Sequence, residues 1–97
     1  MHIITVKRLK EFYAQYPDAK PSLLGWNKIT KLASWQEFAQ VCQTFPSADQ
    51  VGSLTVFNIA VNKYRLITRI NYKTKRVYIR QILTHKKYDT NQWKNDP

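Results

Sequence analysis

"LTVFNIAVNKYRLITRINYKTKRVYIRQIL", residues 54–83, decides the fold, because its apolar and polar residues alternate with period two rather than recurring every three or four. It divides into three β-rich runs, 54–60, 63–72 and 76–83, separated only by "VN" and "KTK". Connections that short join antiparallel neighbours, so the stretch is predicted to be a meander of hairpins. In the middle run Tyr64, Leu66, Thr68, Ile70 and Tyr72 point one way and Arg65, Ile67, Arg69 and Asn71 the other. In the last run Val77, Ile79, Gln81 and Leu83 oppose Arg76, Tyr78, Arg80 and Ile82. Each strand has a mostly apolar face and a face with two arginines. The expectation is a sheet covered on its apolar side, with Arg65, Arg69, Arg76, Tyr78 and Arg80 exposed on the other.

Upstream the period changes. "HIITV" (2–6) is a short β-branched run that predicts a first strand. In "KRLKEFYAQY" Leu9, Phe12, Tyr13 and Tyr16 fall on one helical face, and Pro17 ends it. Pro21 and Ser22 open a second helix carrying Leu23, Trp26, Ile29 and then Leu32 or Ala33. Ser34 followed by Glu37 forms a capping-box pattern for a third, with Trp35, Phe38, Val41 or Cys42, and Phe45, closed by Pro46. "PSADQVGS" (46–53) is expected to be a loop, and the tail "QWKNDP" (92–97) to fray. The fold class is α+β: one domain over 1–97, about three N-terminal helices packed on a small antiparallel sheet.

Composition narrows the function. A chain of 97 residues holds one core and no cleft between domains. The single cysteine, Cys42, forms no internal disulfide and is expected in the core of a protein kept in a reducing cytoplasm. No secretory signal is seen, and no apolar run is long enough to span a membrane. The net charge of +10 favours a polyanionic partner. It is concentrated in the second half: Gln50 to Tyr88 contains nine Lys and Arg and no acid, whereas residues 1–49 hold six bases against four acids.

Two groups of residues carry chemistry. The arginine face is either a solvated sheet surface or an anion site; guanidinium groups on adjacent strands repel one another unless an anion pairs them, and a phosphodiester backbone would do so. Tyr78 among them could stack on an unpaired base. "THKKYD" (84–89) is either a polar strand end or a catalytic rim. RNA is cleaved without metal or cofactor when a base removes the 2′-OH proton, cations hold the phosphorane and an acid protonates the leaving oxygen. His85 offers an imidazole, the side chain most often used as general acid or base, and Tyr88 lies three residues on. No glycine-rich phosphate loop, nucleophile elbow, metal-ligand cluster or paired carboxylates accompany them.

Taken together, "FPSAD", "VFNI", "NKYRL", "VYIR" and "THKKYD", with the opening "MHIITVKRLKEFYAQYPDA", closely resemble HigB-type toxins of bacterial toxin–antitoxin systems, within the RelE-like superfamily. The resemblance covers nearly the whole chain. It implies a RelE-like fold, a metal-free and cofactor-free endoribonuclease that cuts messenger RNA on the ribosome, and a HigA-type helix-turn-helix antitoxin through which alone operator DNA is contacted. It implies His85 as base or acid, Arg65 and Arg80 as phosphate clamps, and Tyr88 as an orienting or proton-donating group. Lys63, Arg69, Arg76, Tyr78, Lys86 and Lys87 are expected to bind RNA, and Tyr64, opposite Arg65, to be core. Where many relatives have Gly-Gly this chain has Ala60 and Val61, leaving Asn62 as the expected source of positive φ. Two other readings fit the same surface: a non-catalytic RNA or ribosome-binding module, and a DNA-contacting regulatory partner.

Overall fold

The computed structural model describes residues 1–95. Strand β1 (His2–Ile4) leads into helices α1 (Lys7–Gln15), α2 (Lys20–Leu32) and α3 (Phe38–Thr44), with a 3-10 turn at Pro17–Ala19. Strands β2 (Asp49–Val51), β3 (Leu54–Ile59), β4 (Tyr64–Asn71) and β5 (Arg76–Thr84) follow, then a one-turn helix α4 (His85–Tyr88) and a 3-10 turn at Gln92–Asn95. Among the described residues the strands form one five-stranded sheet in the order β1-β5-β4-β3-β2. The sheet is mixed rather than antiparallel, because β1 pairs with β5 in parallel, Ile3 opposite Val77. "DQV", expected in a loop, is an edge strand against β3.

The main core lies between the helices and one sheet face. Phe57 is its centre, at 1% exposure, with the rings of Trp26, Trp35 and Phe45 within 5.4, 6.4 and 5.2 Å. Leu9, Leu23 and Val41 bring one residue from each helix into it. The capping box does not form: Glu37 is the extended residue before α3 and no side chain caps the helix, so Trp35 lies outside it and reaches the core from the connection. Cys42, expected in the core, is half-buried.

The alternation predicted for β5 breaks in the middle. Ile67 stands opposite Gln81 while its neighbour Thr68 stands opposite Ile79, so β5 takes two steps where β4 takes one and Arg80 is the inserted residue of a bulge. A one-residue insertion exchanges the faces beyond it. Val77 and Ile79 therefore share the helix-side core with Ile82, whereas Leu83 packs on the opposite face with Ile67, Leu54 and Val56. The sequence assignment of Ile82 and Leu83 is reversed.

The opposite face is not bare either. Ile67 is fully buried, and Trp93, from the tail expected to fray, is 3% exposed over the same cluster. A large aromatic has nowhere to hide in a frayed tail, and the apolar patch between Arg65 and Arg69 gives it a seat. Asp96 and Pro97 of that tail lie outside the described residues.

The β3–β4 hairpin obtains positive φ from three residues, Ala60 (53°), Val61 (51°) and Asn62 (69°), rather than from Asn62 alone. Side chains disfavour this region by about 1–2 kcal/mol each, and Val61, 97% exposed, recovers nothing by packing. Asp18 ties the same hairpin to the helices: its carboxylate accepts from Lys63 Nζ at 2.8 Å and from the Tyr64 hydroxyl at 2.7 Å. These bonds hold the Asp18 carboxyl below its ordinary value of 3.8, Lys63 contributing most. The bond to Asp18 and then burial push Tyr64 up to about 12.

Val61→Gly is expected to stabilise the fold by about 0.5–1 kcal/mol, the relief of strain less the extra freedom of glycine when unfolded, read as a higher urea midpoint with unchanged slope. The Asp18 link fixes the pH dependence with two signs. A depressed carboxyl contributes stability that is present above pH 3.8 and lost as pH falls below it, whereas a raised phenol contributes stability that is present below 10 and lost as pH climbs towards about 12. Urea midpoints measured against pH should fall at both ends, and Asp18→Asn should flatten the acid limb and bring one tyrosinate absorbance step back towards 10.

Candidate active site

The end of β5, the start of β4 and α4 meet on the face opposite the helices. Thr84 is the N-cap of α4, its hydroxyl accepting from Lys87 N at 3.3 Å, so the strand turns at once into a helical turn. His85 N–H donates to the Lys63 carbonyl at 3.1 Å, which anchors this turn to the hairpin. His85 and Tyr88, three residues apart in α4, are therefore neighbours on one side of the turn.

Three side chains form a layered contact. The Arg65 guanidinium lies 5.1 Å from the centre of the Tyr88 ring, and that ring stacks on Trp93 at 4.8 Å and 13°. Trp93 Nε1 donates to the Tyr88 carbonyl at 2.8 Å. Arg65 is aimed from its other end, Nη1 donating to the Asn62 carbonyl at 2.8 Å and the Tyr64 carbonyl at 3.2 Å. Burial, and then the Asp49 and Asp89 carboxylates, push the Tyr88 phenol above its ordinary value of 10, while Arg65 opposes them. Tyr88 thus keeps its proton at neutral pH. Asp89 Oδ2 lies 3.3 Å from His85 Nε2, on a half-exposed imidazole, and orients it.

The remaining predicted residues fall into separate places. Arg80, on the bulge, lines an open groove with Arg8 and Gln15 of α1, rather than sharing the Tyr88 contact with Arg65. Lys87 lines a second groove, with Gln81, Leu83 and Trp93. Lys86 is exposed on α4. Lys63 is held by Asp18. Arg69, Tyr78 and Arg76 lie at the far end of the sheet, Arg69 opposite Tyr78 and Arg76 opposite Asn71; four residues of strand put Arg69 about 13 Å from Arg65. The Arg69 Nε is buried without a hydrogen-bond partner among the described residues. Tyr64 is buried, at 7% exposure. Sequence reasoning missed Trp93, for which a lone tryptophan five residues after Tyr88 was the available signal. It also missed Arg8, which nothing in the helical pattern marks.

Residues 19–91 match the HigB_toxin family, described as the RelE-like toxic component of a toxin-antitoxin system. Over 92 residues the chain is 32% identical to the mRNA interferase toxin HigB of Escherichia coli (strain K12), covering 92% of this chain and 88% of that protein. The mRNA interferase HigB of Shigella flexneri gives the same figures. A more distant mRNA interferase HigB, from Escherichia coli O6:H1, is 26% identical over 92 residues, with 92% and 89% covered.

Trp93 both fills the second core and positions Tyr88, and two substitutions separate these. Trp93→Ala should cost about 3–5 kcal/mol by leaving Ile67 and Val56 uncovered. Trp93→Phe, which keeps a ring against Tyr88 but loses the bond to its carbonyl, should cost only about 1–2 kcal/mol. Urea denaturation measures both; equal, small losses would mean that the tail is not part of the fold.

Proposed function

The chain belongs to the HigB family of RelE-like toxins, and on that premise we propose that it is an endoribonuclease that cuts messenger RNA at the Arg65–Tyr88–His85 centre. The contact of Arg65 with Tyr88, three residues from His85 in α4, supports this reading, because a cation, a protonated phenol and an imidazole are the groups that metal-free cleavage of a phosphodiester needs. His85, oriented by Asp89, takes the 2′-OH proton. The 2′-oxygen attacks phosphorus, the bond to the 5′-oxygen breaks, and Tyr88 gives that oxygen its proton. Arg65 holds the non-bridging oxygens as their charge grows. The products are a 2′,3′-cyclic phosphate and a 5′-hydroxyl, and proton exchange with water resets His85 and Tyr88. No metal or cofactor enters the reaction.

Arg80, Lys86 and Lys87 bind the flanking backbone, and Arg69, Arg76 and Tyr78 hold RNA at the far end of the sheet. Membership of the HigB family supports a messenger presented by the ribosome rather than captured free. The partner that restrains the toxin in the cytoplasm is an antitoxin of the HigA helix-turn-helix type, through which operator DNA is reached.

Induced expression in bacteria tests the reading. Wild type should arrest growth and leave transcripts ending in 2′,3′-cyclic phosphate, while His85→Ala and Tyr88→Phe, which keeps the ring stack, should lower the cleavage rate about 10²–10⁴-fold. Arrest with intact transcripts would instead mean ribosome binding without catalysis.

A further inference from the structure

Helix α2 has two unlike sides. Leu23 and Trp26 enter the main core, and Thr30 is fully buried beside them. The other side carries Leu24 and Ile29, each 45% exposed, and Leu32, 82% exposed. Among the described residues Val61 is the one other large apolar side chain left so open. Leu24, Lys28 and Leu32 recur every four residues, with Gly25 and Ile29 in the adjoining row, so they form one stripe along the outside of the helix. A soluble domain that gathers most of its exposed apolar side chains on one helix marks a contact surface.

Gly25 sits in the middle of that stripe. It is helical, and a Cβ built on it would meet nothing within 4 Å. Neither backbone conformation nor crowding within the chain asks for glycine there, although glycine weakens a helix relative to alanine. The missing side chain leaves a notch flanked by Leu24 and Ile29. Gly25, Lys28, Ile29 and Leu32 stand at i, i+3, i+4 and i+7, the four corners of a hole that receives one side chain of a partner helix. Pro21, Leu24, Gly25 and Lys28 make a second such hole one turn earlier. Charge then chooses the partner. α2 holds Lys20, Lys28 and Lys31, all exposed, and no acid. A second copy of the chain would bring these lysines together on a protein of net charge +10, whereas an acidic helix would pair with them.

We propose that the outer face of α2 is a docking surface for the antitoxin, which lays an acidic amphipathic helix along it. One apolar side chain of that helix fills the notch over Gly25, its neighbours cover Leu24, Ile29 and Leu32, and its Asp or Glu residues stand opposite Lys28 and Lys31. This rests on the toxin–antitoxin pairing of the family and not on the cleavage chemistry. It also separates docking from catalysis. α2 packs on the helix side of the sheet, whereas Arg65 meets Tyr88 on the other side, so a helix held on α2 leaves that contact uncovered.

The test uses the full chain and its antitoxin, with affinity measured by calorimetry and growth followed when the toxin is induced alone or together with the antitoxin. Gly25→Leu fills the notch, and Lys28→Glu combined with Lys31→Glu reverses the charge beside it. Each should weaken antitoxin binding by about 10-fold or more, and the charge reversal should also reduce the salt sensitivity of binding. Gly25→Leu should meanwhile keep or raise the urea midpoint, since leucine loses less backbone freedom on folding, and a merely structural glycine would not show weaker binding with an undamaged fold. Expressed alone it should arrest growth as wild type does, and the antitoxin should no longer relieve the arrest. Unchanged affinity in either variant would overturn the proposal. A wild-type dimer that Gly25→Leu dissociates, or binding to phosphatidylglycerol vesicles that the charge reversal abolishes, each with antitoxin affinity unchanged, would give the face to a second copy or to a lipid surface and overturn it equally. Wild type that binds the antitoxin through α2 but leaves transcripts intact would overturn the endonuclease reading and leave this surface standing.

Discussion

The bulge at Arg80 lets a single strand serve two cores. Without it, Ile82 would point away from the helices and Leu83 would be driven into them. With it, Val77, Ile79 and Ile82 close the main core while Leu83 joins Ile67, Leu54 and Val56 on the far side. That second cluster is too small to stand alone, and Trp93 completes it. The tail therefore crosses the sheet because the bulge has turned apolar side chains toward it, and Tyr88 is carried to Arg65 by the same crossing. Core packing and the candidate centre share one cause.

Charge is distributed in the opposite sense. Six acids face sixteen Lys and Arg, and those whose contacts are visible are engaged locally: Glu11 with Lys7, Asp18 with Lys63 and Tyr64, Asp89 with His85. The remaining cations repel one another across a small domain, a cost that an extended polyanion removes on binding. The excess is uneven as well, since Arg65, Arg69, Arg76 and Arg80 arise from two adjacent strands.

How much of this was legible in the sequence depends on what each feature requires. The strands β3, β4 and β5 and the helices α1 and α2 follow from periodicity, a local property. The parallel pairing of β1 does not, because two or three β-branched residues define a strand without naming its neighbour. Nor does the bulge: "VYIRQIL" alternates as well in the wrong register as in the right one, and only the volume available on each face chooses between them. The capping pattern at Ser34 and Glu37 was overridden by Trp35, whose burial beside Phe57 and Phe45 outweighs a single cap. At the candidate centre, the contact of Arg65 with the Tyr88 ring is one that strand periodicity does not specify. Arg65 lies on Tyr88, whereas Arg80, grouped with Arg65 by a parity that the bulge cancels, lines the groove beside α1.

Strain sits next to that centre. Ala60, Val61 and Asn62 hold left-handed backbone where glycine would be relaxed. The carbonyl of Asn62 accepts from Arg65 and that of the following residue, Lys63, from the His85 N–H. The hairpin is thus a common anchor of the Arg65 side chain and of the turn that begins at His85, and Asp18 fixes it from the helical side through Lys63 and Tyr64. Side chains at these positions narrow the backbone's choices more than glycines do. A stiff, strained turn held at both ends fixes where Arg65 stands relative to the turn that begins at His85, at the expense of stability that a Gly-Gly turn would keep.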